Sequence, residues 1–157
     1  MFHQVYLNII HNRVYKILLL TVVLLLKTTN SFAEVITAGR SGCDIDIDLT
    51  WQKGRINLPA DVDVVVNLAA SFGGGGDDLD SLLETNALGP YKLAQACVDA
   101  KVPRLVQIST IFSHLEESSD FFNGYALSKK LMEELLSFYS KKSGLKLTSL
   151  RPAQIYG

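Results

Sequence analysis

The sequence predicts an α/β domain built on a doubly wound, incomplete parallel sheet. Three observations carry this. From Glu34 onward, short β-branched runs alternate with longer helical patterns. The most apolar of these runs, Val62 to Leu68 (VDVVVNL), is almost continuous, as expected of a strand covered by helices on both faces. The intervals between runs suit crossover connections, which parallel pairing requires. No internal repeat is present.

Taken in order, Glu34 to Gly39 (EVITAG) reads as a short strand ending at Arg40-Ser41. Asp44 to Leu49 (DIDIDL) alternates polar and apolar, so a strand with one exposed face is expected. Trp51 to Ala60 is polar, contains Pro59, and reads as a connection or short helix. Ser71 to Asp80 (SFGGGGDDLD) is a flexible loop, because consecutive glycines favour no regular structure. Leu82 to Ala100 reads as a helix, with Leu83, Ala87, Tyr91, Ala94 and Val98 at three- and four-residue steps. Gly89-Pro90 would normally interrupt such a helix. Arg104 to Ser109 (RLVQIS) is the next strand. A long helix follows, Tyr125 to Ser143, with Leu127, Leu131, Leu135 and Phe138 as its apolar stripe and Gly144 as its C-terminal cap. Leu145 to Leu150 (LKLTSL) is the last strand, before Arg151-Pro152 and the residues up to Gly157.

Composition narrows the function classes. The 157 residues are 48% hydrophobic and 20% charged, an ordinary globular balance. A net charge of −1, with no basic run interleaved with aromatics, argues against a nucleic-acid surface and offers no field for an acidic membrane. Cys43 and Cys97 lack CxxC spacing and read as small buried hydrophobes. His3, His11 and His114 are scattered, so no metal site is expected. The glycine run at 73–76 is not followed by lysine in a GxxxxGK[ST] pattern, which argues against a nucleoside triphosphate loop.

Residues 1–33 differ in character from the segment 34–157. Ile17 to Leu26 (ILLLTVVLLL) is apolar, Arg13 and Lys16 precede it, and Ser31-Phe32-Ala33 follows, a secretory signal-peptide pattern. The run is shorter than the roughly 20 residues that span a bilayer. A buried first strand beginning at Lys16-Ile17 is a second reading. No glycine occurs between Met1 and Ala38, so a dinucleotide fold would lack its glycine-rich turn. A first strand and helix altered by a wrong start or a frame change is the third reading.

The chemistry is carried by Tyr125 and Lys129, a YxxxK pair that a helix places on one face. A phenol is a poor base at neutral pH, with an ordinary pKa of about 10. Lowering it to near 7 takes about 4 kcal/mol of differential stabilisation, which an adjacent ammonium and a cationic nicotinamide ring can supply together. Such a tyrosine can exchange a proton with a sugar hydroxyl. Upstream, Gln107-Ile108-Ser109-Thr110 ends a strand in hydroxyls, at the edge where open α/β sheets bind ligands. The bland alternatives are a solvated tyrosine–lysine neighbour pair and strand-end hydroxyls that satisfy a turn.

With these motifs in this order, residues 34–157 resemble the extended short-chain dehydrogenase/reductase family, the NAD-dependent epimerases and dehydratases with a Rossmann-like fold. Asp63 to Ala70 (DVVVNLAA) looks like the strand and turn beneath the nicotinamide ribose, although the family commonly has histidine where Asn67 stands. Asp48-Leu49 looks like the pair lining the adenine, Thr85 to Gly89 (TNALG) like the family's helix with its asparagine, and Arg151 to Gly157 (RPAQIYG) like its last strand end. The resemblance implies Thr110 as the catalytic hydroxyl, with Ser109 as the fallback. It implies Tyr125 as general base/acid, and Lys129 as the group that lowers the tyrosine pKa and holds the ribose. Cofactor contacts are implied at Arg40, Ser41, Asp48, Leu49, Leu68, Ala69, Ala70, Asn86, Tyr125, Lys129 and Pro152. The cofactor is NAD or NADP, and Arg40 tips the choice toward NADP, since arginine suits a 2′-phosphate.

The expected activity is epimerisation, dehydration or reduction of a nucleotide-linked sugar, in the cytoplasm, by a homodimer formed through the two long helices. Two rivals stand beside it. One is a non-catalytic remnant of the family that lacks the glycine turn and the substrate domain. The other is an exported protein that borrows the fold for interaction, if residues 1–33 are a leader.

Overall fold

The computed structural model of the chain describes residues 3–8, 33–39, 42–49, 54–72 and 78–152. Its strands are β1 (His3–Asn8), β2 (Ala33–Gly39), β3 (Ile45–Asp46), β4 (Val64–Asn67), β5 (Arg104–Ile108) and β6 (Lys146–Leu150). All pair in parallel in one sheet of order β3-β2-β1-β4-β5-β6. This is the order of a doubly wound dinucleotide fold, whose ligand crevice lies beyond the carboxyl ends of the strands where the order reverses, between β1 and β4. The register aligns those ends: Asn8 stands opposite Asn67, and Asn67 opposite Gln107.

The expected parallel α/β architecture is therefore present, with one addition. Before Glu34 the sequence offers a strand only as a second reading at Lys16-Ile17, yet His3–Asn8 lies at the centre of the sheet between β2 and β4. The candidate strand at Lys16, the run Ile17 to Leu26 and the signal-peptide pattern fall outside the described residues. The expected strand Asp44 to Leu49 shortens to the pair Ile45–Asp46. Asp44 is engaged instead by Thr37, whose backbone N and Oγ1 donate to its Oδ2 at 2.8 and 2.6 Å. No helix forms over 54–60.

The expected helix Leu82 to Ala100 is divided. Helix α1 (Leu79–Leu83), N-capped by Asp78, runs into a wide π-helical turn (Glu84–Leu88) and then helix α2 (Gly89–Asp99). The Gly89 N–H reaches back five residues to the Glu84 carbonyl. The wide turn lets Pro90 occupy the first turn of α2, where a missing N–H costs least. Gly89 also passes against the strand edge: a Cβ there would stand 2.9 Å from the Leu49 carbonyl oxygen and 3.0 Å from its Cβ. Only glycine permits that approach.

Beyond β5, Thr110 caps a 3₁₀ turn (Ile111–His114). Helix α3 (Gly124–Ser143) is capped by Asn123, whose Oδ1 accepts from the Ala126 N–H at 3.0 Å. It ends, as expected, at Gly144 in the left-handed region (φ 79°).

The expected α3 stripe only borders the core, with Leu127 and Leu135 half-buried. Leu131 is 39% and Phe138 63% exposed, whereas Tyr125, Ala126, Ser128, Lys129, Met132 and Leu136 are buried. Two polar residues on the buried face, Ser128 and Lys129, hide it from any count of apolar spacing. The core joins Val65 and Leu105 of the sheet to Leu93 and Cys97 of α2 and to Met132 and Leu136 of α3. Cys97 is buried as expected, and burial pushes its thiol pKa up to about 12. Cys43 is half-buried, and among the described residues neither cysteine forms a disulfide.

Candidate active site

Where β4 ends, the chain turns over a buried amide pair. Asn67 Nδ2 donates to Gln107 Oε1 at 2.7 Å, and the Ala69 N–H donates to Asn67 Oδ1 at 3.1 Å. Gln107 Nε2 in turn donates to the Ile108 carbonyl at 2.9 Å. Both amides are fully buried, where unmade hydrogen bonds would be costly, so the pair fixes the ends of β4 and β5 relative to each other. Leu68, Ala69 and Ala70 follow as a buried floor of small and apolar residues.

The π-helical turn places Asn86 beside this floor. Its Nδ2 donates to the Ser71 carbonyl at 2.7 Å and to Ser128 Oγ at 3.0 Å, and its Oδ1 accepts from the Ser71 N–H at 2.7 Å. Ser128 Oγ donates to the Tyr125 carbonyl at 2.8 Å. A single buried asparagine thus ties the loop after β4 to the first turn of α3. Wide turns of this kind recur at functional sites.

Tyr125 lies at that first turn. Its ring stacks on Phe72, with centroids 4.7 Å apart and planes at 27°. The Lys129 Nζ is 5.9 Å from the centroid of the Tyr125 ring. Lys129 is 1% exposed, and its Nζ donates to the Ile108 carbonyl at 3.1 Å. Burial pulls its pKa down to about 8, and the Glu133 carboxylate pushes the other way. Helix α3 therefore holds an ammonium in the interior, between the end of β5 and the tyrosine.

The two strand-end hydroxyls differ in what they have left to give. Ser109 Oγ donates to Glu133. Thr110 is buried, and its Oγ1 accepts from the Phe112 N–H at 3.3 Å. Among the described residues, no group takes the Thr110 hydroxyl proton. Thr110 is thus the hydroxyl with a hydrogen bond to offer.

The structure brings Thr110, Tyr125, Lys129, Asn86 and the floor 68–70 to the ends of β4 and β5. Leu49 is buried against Gly89, and Asp48 lines a cleft of about 520 Å³ beyond β3. Pro152 is half-buried just past β6, and Arg40 and Ser41 lie outside the described residues. Three participants are absent from the sequence reading: Phe72, Gln107 as partner of Asn67, and Glu133. Only Glu133 leaves a trace in the sequence, as the third member of a four-residue spacing with Tyr125 and Lys129.

These residues can be matched to a dinucleotide in part. The small-residue floor after β4 and the buried lysine suit a nicotinamide ribose. The pyrophosphate turn should follow β1, and the residues after Asn8 lie outside the described set; their sequence, Ile9 to Arg13, contains no glycine. Among the described residues, no group of His, Cys, Asp and Glu could hold a metal ion, and no helix is long and apolar enough to cross a membrane.

No curated protein matches the chain. Among solved structures it is similar to the UDP-N-acetylglucosamine 4-epimerase of Bacillus cereus. That match has 26% identity and a TM-score of 0.74, and covers 99% of this chain and 62% of the other. It shares its fold with the Bacillus cereus UDP-glucuronic acid 4-epimerase in complex with NAD (19% identity, TM-score 0.70, 98% and 57% covered). It also shares it with an Agrobacterium tumefaciens short-chain dehydrogenase/reductase superfamily protein with bound NAD (22%, 0.70, 95% and 48%). The chain spans less than two thirds of the length of each. The model of the NAD dependent epimerase/dehydratase family matches residues 20–157. The chain belongs to the NAD dependent epimerase/dehydratase family.

Proposed function

We propose that this chain carries the proton-transfer half of an NAD(P)-dependent epimerase, dehydratase or reductase acting on a nucleotide-linked sugar. One observation carries the reading: a buried lysine beside Tyr125, facing a strand end where Thr110 keeps a hydroxyl proton to donate. A fold has no structural need of an ammonium there, because a buried charge costs stability. When bound, the nicotinamide supplies the two-electron acceptor. Tyr125 exchanges the proton of a sugar hydroxyl, Thr110 hydrogen-bonds the same oxygen, and Lys129 favours the phenolate and binds the ribose.

Leu68, Ala69, Ala70 and Pro152 border the nicotinamide side, Asn86 holds their loop in place, and Asp48 and Leu49 border the adenine. Arg40 and Ser41 follow β2, where the adenosine ribose is read, and the arginine favours NADP. The exposed Leu131 and Phe138 suit a homodimer seam along α3. Residues 34–157 hold the motifs that resemble the family's site, and residues 1–33 diverge from it in lacking a glycine-rich turn. Dependence on a nicotinamide cofactor fits the cytoplasm.

The test is to supply NAD or NADP with UDP-glucose or UDP-N-acetylglucosamine and follow nicotinamide absorbance and sugar products. Turnover that falls at least about 100-fold in Tyr125→Phe, the usual minimum for a general acid–base group, supports the proposal. No turnover and no cofactor binding favour the second reading, a non-catalytic remnant. The absence of glycine between Met1 and Ala38 speaks for that alternative.

A further inference from the structure

We infer that Glu133 is a positioning residue of this site: its carboxylate ties the ends of β5 and β6 to α3, and so fixes the Thr110 hydroxyl relative to Tyr125 and Lys129. This rests on the proposed function for its meaning, but not for its geometry.

Glu133 stands one helical turn beyond Lys129 and two beyond Tyr125, on the same side of α3. Its side chain is only 12% exposed. Three side chains donate to it from outside the helix. Ser109 Oγ donates from the end of β5, and Ser113 Oγ from the 3₁₀ turn at 3.1 Å. Arg151 donates from just past β6, with Nε 2.9 Å from Oε1 and 3.1 Å from Oε2 and Nη2 on Oε2. His114 Nε2 lies 3.5 Å from Oε2. Burial works against this charge, but the hydrogen bonds from Arg151, Ser109 and Ser113 hold its pKa below the ordinary carboxylate value.

An exposed glutamate–arginine pair would mean little, since solvent screens such pairs. The arrangement here differs in where the donors come from. Ser109 and Ser113 bracket Thr110 in the chain. Ser113 Oγ also lies 2.7 Å from the Thr110 carbonyl, so its single proton is shared between two acceptors. Ser109, next to Thr110, and Ser113, three residues on, are thereby anchored to one carboxylate, while the Thr110 hydroxyl itself is left out of the network.

The same carboxylate acts on Lys129. The groups facing that ammonium are the Tyr125 ring, the Ile108 carbonyl and the Glu133 charge; Arg151 and His114 meet Glu133. Glu133 thus sets two properties at once, the position of the hydroxyl and the charge on the lysine. A residue serving only to fasten helix to sheet would set neither.

The experiment uses the full chain and two readouts that need no turnover. Side-chain NMR of isotopically labelled lysine, assigned with Lys129→Met, follows the Lys129 titration in wild type and in Glu133→Gln. The Lys129 midpoint is expected to fall by roughly one pH unit in the variant, the low end of what a neighbouring opposite charge does. NADH affinity should lose its pH dependence at the same lower midpoint. An unchanged midpoint overturns the inference. If Glu133→Gln does not fold, Ser113→Ala keeps the carboxylate and the arginine and releases one side of the bracket. It should increase the picosecond–nanosecond mobility of the Thr110 methyl, and unchanged methyl order parameters overturn the inference. A chain that binds no NADH, yet whose Lys129 midpoint falls in Glu133→Gln, fails the functional reading and upholds the role of Glu133.

Discussion

Replacing Lys129 by methionine should stabilise the fold at neutral pH, and the size of the effect follows from its burial. The ammonium is 1% exposed, and its titration midpoint falls from 10.5 to about 8. At about 1.36 kcal/mol per pH unit, that difference costs the folded state about 3 kcal/mol at pH 7. Methionine fills similar space without charge, but removes one of the two side-chain donors to the Ile108 carbonyl, Gln107 Nε2 remaining, a loss of about 1–2 kcal/mol. The net gain is about 1–2 kcal/mol, or an increase in Tm of about 4 °C in a domain of this size.

The pH dependence identifies the cause. The folded pKa of Lys129 lies below the unfolded one, so between about 8 and 10.5 the unfolded chain binds the extra proton. The penalty is complete below the lower value and is relieved as pH rises toward the upper. The advantage of Lys129→Met therefore shrinks as pH rises through this window. Urea unfolding at pH 7 and again near pH 9.5 measures both quantities. A variant less stable than wild type at pH 7, or a gap that ignores pH, would refute the reasoning.

Other outcomes follow from the packing. Gly89→Ala should cost about 1–3 kcal/mol, because the new methyl meets the backbone and Cβ of Leu49 rather than a flexible tip; thermal unfolding checks it, and an unchanged Tm contradicts the close approach. Cys97, with its thiol pushed up to about 12 by burial, should react with a disulfide reagent only after denaturation. Cys43 is half-buried, and burial together with Asp44 and Asp46 raises its pKa, so it should react first but slowly in the native protein; immediate reaction of both thiols contradicts this.

Much of the fold is legible in the sequence where a local rule operates without competition. Val64–Asn67 and Arg104–Ile108 are short β-branched runs, and Gly144 is the kind of residue a left-handed helix end selects. Strand β1 is not legible. HQVYLN holds too brief an apolar stretch to stand out, and the longer apolar run at Ile17 to Leu26 draws the eye from it. Helix α3 misleads for a different reason. Apolar spacing selects Leu127, Leu131, Leu135 and Phe138, yet the buried face includes Ser128 and Lys129. That conflict between local pattern and burial is what a functional site produces.

The candidate site divides in the same way. Thr110, Tyr125 and Lys129 can be read from residue type and spacing, and the structure gathers them at one edge of the sheet. Glu133 and Gln107 cannot, because their partners are 24 and 40 residues away along the chain. The four-residue spacing from Tyr125 and Lys129 puts Glu133 on their side of the helix, but does not show that it meets Ser109 and Arg151 across two strand ends. The π-helical turn at Glu84–Leu88 is intermediate: Gly89-Pro90 signals an interruption, but not one that leaves a continuous helical segment and delivers Asn86 to the floor of the site.

The most direct test of the central claim is a fluorescence titration of NADH and NADPH against the wild-type chain and against Lys129→Met. Saturable micromolar binding by wild type, weakened at least tenfold in the variant, is the predicted result. Absence of binding at millimolar cofactor, or equal binding by both proteins, would contradict it.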